Sequence, residues 1–296
     1  MSAWLETYRG TVYRWELDNV DHFTVAFYFT RIDDATLVLL DVLGLGPAAL
    51  DRSRRQWVTE HCHVRYRREL RAGDLLHARS GVIEAGEHGL TLGHELIDSG
   101  DGVLCTSVEQ RITLRDTATD GRERLTGAVL ATAERHRVDW EGERWVPAGA
   151  PPADDAGCVE GARDTIKAWE VDVDGVASAT ALIHRFSAAN GHLMAAFGFT
   201  SAYARDEQRG FSTFEFRLRF FGALRAGDPL VVRSGLLHVG GSSLRIGHRL
   251  RHARTGALVA TLDQAGVHLD MVARRSVALP EALRERARAL LLPSSG

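Results

Sequence analysis

The chain has 296 residues, 45% hydrophobic and 25% charged, with a formal net charge of −3, a balance that supports one large buried core or two smaller ones and argues against long disordered tracts. Basic and acidic residues are intermixed, which excludes the strongly basic face that nucleic acid or an anionic membrane surface requires. Cys62, Cys105 and Cys158 have no metal-ligand spacing and are odd in number, and neither a leader-like N-terminus nor an apolar run of about 18 residues is present; the expectation is a protein of the reducing cytoplasm, with no membrane partner.

In chain order, Tyr8–Trp15 predicts a strand. Val25, Phe29, Ile32, Thr36, Leu39 and Leu43 then recur at alternating steps of four and three, one face of a long helix. Phe27, Val38, Leu40 and Val42 add apolar surface around it, so a sheet is expected to wrap it; at ~1.5 Å per residue it is roughly 30 Å long. Gly44-Leu45-Gly46-Pro47 supplies a C-terminal cap and a block to continuation. Turn signals at Gly73-Asp74, 86–89 and 99–102 divide the next stretch into three or four antiparallel strands. Arg122–Arg137 predicts a short helix, Arg137–Asp164 a linker rich in proline, glycine and small residues, and Pro280–Leu291 a helix whose proline suits its first turn.

Shifted by 154 positions, Tyr66–Leu114 aligns without a gap on Phe220–His268, with 17 of 49 residues identical. Leu70-Arg71-Ala72-Gly73-Asp74 recurs as Leu224-Arg225-Ala226-Gly227-Asp228, Arg79-Ser80-Gly81 as Arg233-Ser234-Gly235, and Gly93-His94 as Gly247-His248. A duplication accounts for this. The expected organisation is a first domain over 1–136, a linker over 137–164 and a second domain over 165–296, each α+β: a strand, a long helix, then an antiparallel run.

The segment Trp15–Tyr28 lies where the first strand hands over to the helix. A carboxylate there, such as Asp18, can attack a carbonyl carbon or activate water while unpaired helix N–H groups hold the developing oxyanion; Asp18 and Asp21 can equally cap the helix. His22 suits acid–base work near neutral pH or a hydrogen bond to backbone. His61 and His63 share a strand face but lack a third metal ligand nearby in sequence. The run Arg65–Arg71 reads as solvated surface or as arginine forks for phosphate.

The spacing Asp18, His22, Tyr28 resembles the aspartate, glycine-histidine-valine-asparagine-asparagine and tyrosine signature of hot-dog-fold acyl-CoA thioesterases of the 4-hydroxybenzoyl-CoA thioesterase type. Asp21 replaces the usual glycine, and Thr24 and Val25 replace asparagines. The resemblance covers about Tyr8 to Thr113 and includes the Leu-Arg-Ala-Gly-Asp turn. It implies two tandem hot-dog units, each an antiparallel sheet around a central helix, paired as a pseudo-dimer. Further oligomerisation stays open. It also implies hydrolysis of an acyl-CoA or acyl carrier protein thioester without a metal, coenzyme A or phosphopantetheine entering only as part of the substrate. Asp18 would be nucleophile or general base, His22 its catalytic partner, the Val25 N–H the oxyanion donor, Thr24 and Tyr28 substrate contacts, and Arg65 and Arg67 phosphate contacts; Tyr28 reads equally as core packing with a satisfied hydroxyl.

For the second copy, setting Gly191-His192-Leu193-Met194 on the signature pairs His192 with His22 at an offset of 170. A helix would then begin near His192 and fade by Ala204, and Ala188 would replace Asp18. The expectation is one competent site per chain, with Asn190 and His192 as remaining polar contacts. Two rival readings are a lyase acting on a bound acyl thioester and a non-catalytic acyl-CoA or acyl carrier binding protein.

Overall fold

The computed structural model describes residues 3–51, 54–150 and 152–293; Pro151 of the expected linker and the outermost positions of both expected domains, 1 and 296, lie outside them. Two compact units divide the chain, Met1–Pro147 and Ala148–Gly296.

The first unit contains β1 (Leu5–Thr11), a 3-10 turn (Arg14–Glu16), α1 (Val25–Val42), β2 (Arg55–Tyr66), β3 (Leu75–Gly86), β4 (Gly89–Asp98), β5 (Leu104–Asp116) and α2 (Gly127–Arg135). Its strands pair antiparallel in the order β1-β3-β4-β5-β2. The second contains β6 (Val159–Thr165), a 3-10 turn (Ala168–Glu170), α3 (Ala179–Ala196), α4 (Ser201–Asp206), β7 (Arg209–Phe220), β8 (Pro229–Val239), β9 (Ser243–His252), β10 (Leu258–Asp270), β11 (Arg275–Ser276) and α5 (Glu281–Arg288). Its order is β6-β8-β9-β10-β7, with β11 on β10. Each unit has the α+β hot-dog arrangement that the resemblance implied. Among the described residues no helix is long and apolar enough to cross a membrane.

α1 forms where the four–three stripe predicts it, burying Tyr28, Phe29, Ile32, Ala35, Thr36, Leu39 and Leu40 on one broad side, while Val38 and Val42 stay exposed. It ends in a Schellman turn: Gly44 takes φ +73°, its N–H donates to Asp41 O at 2.9 Å, and Leu45 N–H donates to Leu40 O at 2.8 Å. Leu39, Leu40 and Leu43 pack on Val82, Leu90, Leu92, Ile112 and Leu114 from the sheet. Leu193 and Met194 of α3 and Phe197, its C-cap, pack likewise on Leu236, Leu244 and Ile246.

Three elements differ from expectation. The first strand stops at Thr11, and Arg14–Glu16 is a 3-10 turn closed by Glu16, whose carboxylate accepts the Tyr13 N–H at 3.0 Å. All of β6 but Thr165 lies in the stretch read as linker; Glu160, Arg163 and Asp164 give it the polarity of a loop, but it is an edge strand with one buried residue, Gly161. Most consequential, the second long helix is α3, beginning at Ala179 rather than near His192.

That start restores the repeat. β1 and β6, α1 and α3, β2 and β7, β3 and β8, β4 and β9, and β5 and β10 all begin 154 residues apart. Even the ladder irregularities recur: the shift between Glu6 and Tyr8 returns between Glu160 and Ala162, and that between Val82 and Glu84 returns between Leu236 and His238.

Candidate active site

The loop between the 3-10 turn and α1 is a closed hairpin. Leu17 and Phe23 pair as an antiparallel bridge, the Asp18 N–H donates to His22 O at 2.8 Å, and Phe23 N–H donates to Leu70 O at 2.7 Å, tying the loop to the Leu-Arg-Ala-Gly-Asp turn. Asp18 organises its interior: Oδ1 accepts the N–H groups of Val20 at 2.9 Å and His22 at 3.0 Å. Among the described residues Oδ2 has no hydrogen-bond partner. One oxygen is therefore fixed by its own loop and the other is open on a half-buried carboxylate.

The His22 ring is aimed by a residue that sequence reasoning passed over. His22 Nε2 lies 2.6 Å from Glu69 Oε2, and Glu69 Oε1 accepts from Arg71 Nη2 at 2.6 Å. A carboxylate on an imidazole fixes the orientation of the ring. Glu69 lay within the arginine run and gave no spacing signal; its adjacency to Leu70, the loop's anchor, was the available clue.

Thr24 is the N-cap of α1, so Asp21 does not cap the helix; it holds the left-handed turn, φ +59°, that Gly175 holds at φ +75° in the second unit. The Thr24 side chain makes no capping hydrogen bond, and Val25 is the first helical residue, so its N–H belongs to the donors that an α-helix leaves without an internal acceptor. Asp18, His22, Thr24 and Val25 are thus brought to one place. Tyr28 packs beneath the loop: it is 3% exposed, its ring 4.5 Å from Phe23 and 5.1 Å from Tyr66, and burial raises its hydroxyl pKa far above the ordinary range. Its side chain is part of the core.

Arg65 Nη1 is 3.3 Å from Glu143 Oε2, whereas the Arg67 side chain is exposed. His61 and His63 pack against Trp145, with ring centroids 5.4 and 6.0 Å away, so that strand face is covered by an aromatic side chain rather than simply solvated.

In the second unit the offset of 154 replaces the offset of 170. The counterpart of Asp18 is Asp172, not Ala188, and Asp172 Oδ1 accepts the N–H groups of Asp174 at 2.8 Å and Val176 at 3.1 Å in the same loop. The carboxylate is kept. What is lost is its surroundings: Val176 stands for His22, Ala223 for Glu69, Leu182 for Tyr28. Ser178 replaces Thr24 and does cap its helix, accepting the Ala181 N–H at 3.2 Å. Asn190 and His192 lie in the interior of α3, twelve and fourteen residues into an 18-residue helix, too far from its N-terminus to serve the loop; Asn190 corresponds to Thr36, and His192 is exposed.

The family model described as the thioesterase-like superfamily matches residues 12–151 and again 166–287. A curated L-carnitine dehydrogenase/betainyl-CoA thioesterase from Rhizobium sp. is 30% identical over 156 residues, 52% of this chain and 31% of that protein, so the chain spans about a third of that relative. Among solved structures, a 12:0-ACP thioesterase from Umbellularia californica superposes with a TM-score of 0.68 at 13% identity, covering 90% of this chain and 94% of its own. An acyl-ACP thioesterase from Bacteroides thetaiotaomicron gives a TM-score of 0.67 at 12% identity, covering 88% and 96%. At such identities these two likenesses speak for the fold.

Proposed function

We infer the reaction from kinship and geometry together: the chain belongs to the thioesterase-like superfamily, and its first unit is suited to hydrolysing an acyl thioester of coenzyme A or of an acyl carrier protein. The observation that carries the reading is the Asp18 carboxylate, with Oδ1 held by loop amides and Oδ2 open, on the same closed hairpin as His22 and leading into a helix N-terminus that no side chain caps.

In this reading Oδ2 takes a proton from water as the water oxygen bonds to the thioester carbon; where Oδ2 itself attacks, it forms an acyl-aspartyl anhydride that a water hydrolyses in a second step, freeing the acid and restoring Asp18. The oxyanion meets the Val25 N–H at the positive end of α1. Collapse breaks the C–S bond, and the thiolate takes its proton from His22, which Glu69 orients. The products are a carboxylic acid and a free thiol. The reaction needs no metal, and coenzyme A or phosphopantetheine enters only as the leaving group. Arg67, exposed and without an ion pair among the described residues, is better placed for a phosphate than Arg65. The name of the Rhizobium relative puts betainyl-CoA first in a substrate panel.

The test is thiol release from a panel of acyl-CoA and acyl carrier protein esters. Asp18→Asn is expected to lower kcat at least ~10³-fold, and His22→Gln ~10²–10⁴-fold, the usual range for a positioned acid–base group. Asp172→Asn is expected to leave kcat within about twofold, because Val176 and Ala223 leave that loop without its histidine and glutamate. Full activity of Asp18→Asn overturns the assignment, and acyl products released with the thioester intact identify a lyase instead.

A further inference from the structure

Glu16 and Arg31 form a buried pair beside the Asp18 loop, their side chains 5% and 8% exposed. Both carboxylate oxygens of Glu16 accept from Arg31 Nη2, at 2.7 and 2.8 Å. Oε2 also takes the Tyr13 N–H at 3.0 Å, and the Glu16 backbone carbonyl takes the Thr24 N–H at 2.8 Å. Arg31, seven residues into α1, lies with its guanidinium carbon 5.5 Å from the Tyr8 ring centroid and 5.3 Å from that of Phe23. Glu16, two residues before Asp18, therefore joins the exit of β1 and the body of the helix through its carboxylate and the residue two after His22 through its backbone carbonyl.

We propose that Glu16 and Arg31 are positioning residues, a clamp that fixes the span from Glu16 to Thr24 and so sets where Asp18 Oδ2 and the His22 ring stand relative to the α1 N-terminus. The proposal rests on the thioesterase reading of that site. Hydrogen-bonded closure at Leu17–Phe23 makes the loop stiff, so a shift at its base moves both groups together, and a displacement of about 1 Å at reacting atoms can cost ~10²-fold in rate. Both side chains are buried, so substrate binding is expected to change little.

The second unit supplies the control. Arg185 pairs with Glu170, with Nη2–Oε2 at 2.7 Å, and the Ser178 N–H donates to Glu170 O at 2.9 Å. A corresponding clamp, in which Asp164 adds a second carboxylate to Arg185 where the first unit has Gly10, closes there a loop that lacks the histidine. A role confined to folding would make the two clamps equivalent; a positioning role makes only the first one kinetic.

The experiment compares Glu16→Gln and Arg31→Lys with Glu170→Gln and Arg185→Lys in the full chain, measuring Tm, kcat and KM for thiol release, and the ¹⁵N shifts of the His22 imidazole at fixed pH. The first pair is expected to lower kcat ~10–100-fold with KM within about twofold and to move the His22 shifts. The second pair should lower Tm but leave kcat and those shifts in place. If a single variant does not fold, the neutral double variant Glu16→Gln/Arg31→Met, which leaves no uncompensated buried charge, carries the same expectation. Unchanged kcat and unchanged His22 shifts in the first pair, or equal kcat losses in both pairs, overturn the clamp. Wild-type chain that releases no thiol, or a fully active Asp18→Asn, overturns the thioesterase reading instead, and the imidazole shifts still decide whether the clamp holds the loop.

Discussion

Ser80 Oγ and His94 Nδ1 lie 2.7 Å apart in the centre of the first unit, both side chains removed from solvent. His94 Nε2 faces Gln110 Oε1 at 3.2 Å, which makes Nε2 the protonated nitrogen and Ser80 the donor to Nδ1. Ser234, His248 and Gln264 repeat the arrangement at 2.7 and 3.1 Å. Each histidine can take a second proton only by losing its hydrogen bond from serine. Burial pushes both down to about 4, from an ordinary 6.5.

This gives a pH dependence of known sign. Between pH 6.5 and 4 the unfolded chain binds protons at these histidines while the folded chain does not, so stability falls as pH drops through that window. At pH 5 the loss is about 2 kcal/mol per histidine, given 1.36 kcal/mol per pKa unit. Urea denaturation at pH 7.5 and pH 5 is expected to show it, and His94→Gln/His248→Gln to flatten the difference. A profile as steep in the double variant assigns the acid sensitivity elsewhere.

The two helix starts make opposite predictions for similar residues. Ser178→Ala removes the oxygen that accepts the Ala181 N–H and is expected to cost about 1 kcal/mol. Thr24→Ala removes no cap and should cost only a few tenths. Equal losses by thermal denaturation would mean that Thr24 caps α1 in solution.

Thr7 and Gly161 occupy the same place in the two edge strands. Thr7 Oγ1 bonds Ser80 Oγ at 2.7 Å, whereas a Cβ on Gly161 would lie 2.6 Å from Ala189 Cα and 2.8 Å from its carbonyl oxygen. Those are backbone atoms of α3, which cannot swing aside. Gly161→Ala is expected to destabilise by about 1–3 kcal/mol, the usual range for overpacking, and Thr7→Gly to leave α1 seated but Ser80 with one partner fewer.

Tyr28→Phe separates a core role for Tyr28 from a substrate contact. A core role predicts kcat and KM within about twofold of wild type on the best thioester found; a tenfold loss of kcat would return the hydroxyl to the chemistry.

Much of this fold can be read from residue order because α1 and the β3–β5 meander obey simple periods: the four–three stripe from Val25 to Leu43 and the alternation after Gly73. The second helix could not be read that way. Ala179, Ala181, Ala188, Ala189, Ala195 and Ala196 blur its stripe, and Gly191-His192, which sits mid-helix, imitates a loop signature. Extending the offset of 154 upstream would have found it, since Trp15-Glu16 and Asp18 return as Trp169-Glu170 and Asp172. The clamp and Glu69 escaped for a different reason. Ion pairs across 15 and 47 positions (Glu16 to Arg31, His22 to Glu69) have no local pattern, and the recurrence of Glu16 and Arg31 as Glu170 and Arg185 was the only trace of the first.

A spacing of 154 kept from Leu5 to Asp116, bulges included, means that since duplication the halves have diverged here by substitution alone, without net insertion or deletion. Their parts therefore remain exchangeable in length. Residues 16–24 and 170–178 can be traded between halves as cassettes with both junctions intact, a route to asking whether a His22-bearing hairpin, with glutamate at position 223, raises thiol release by the second half.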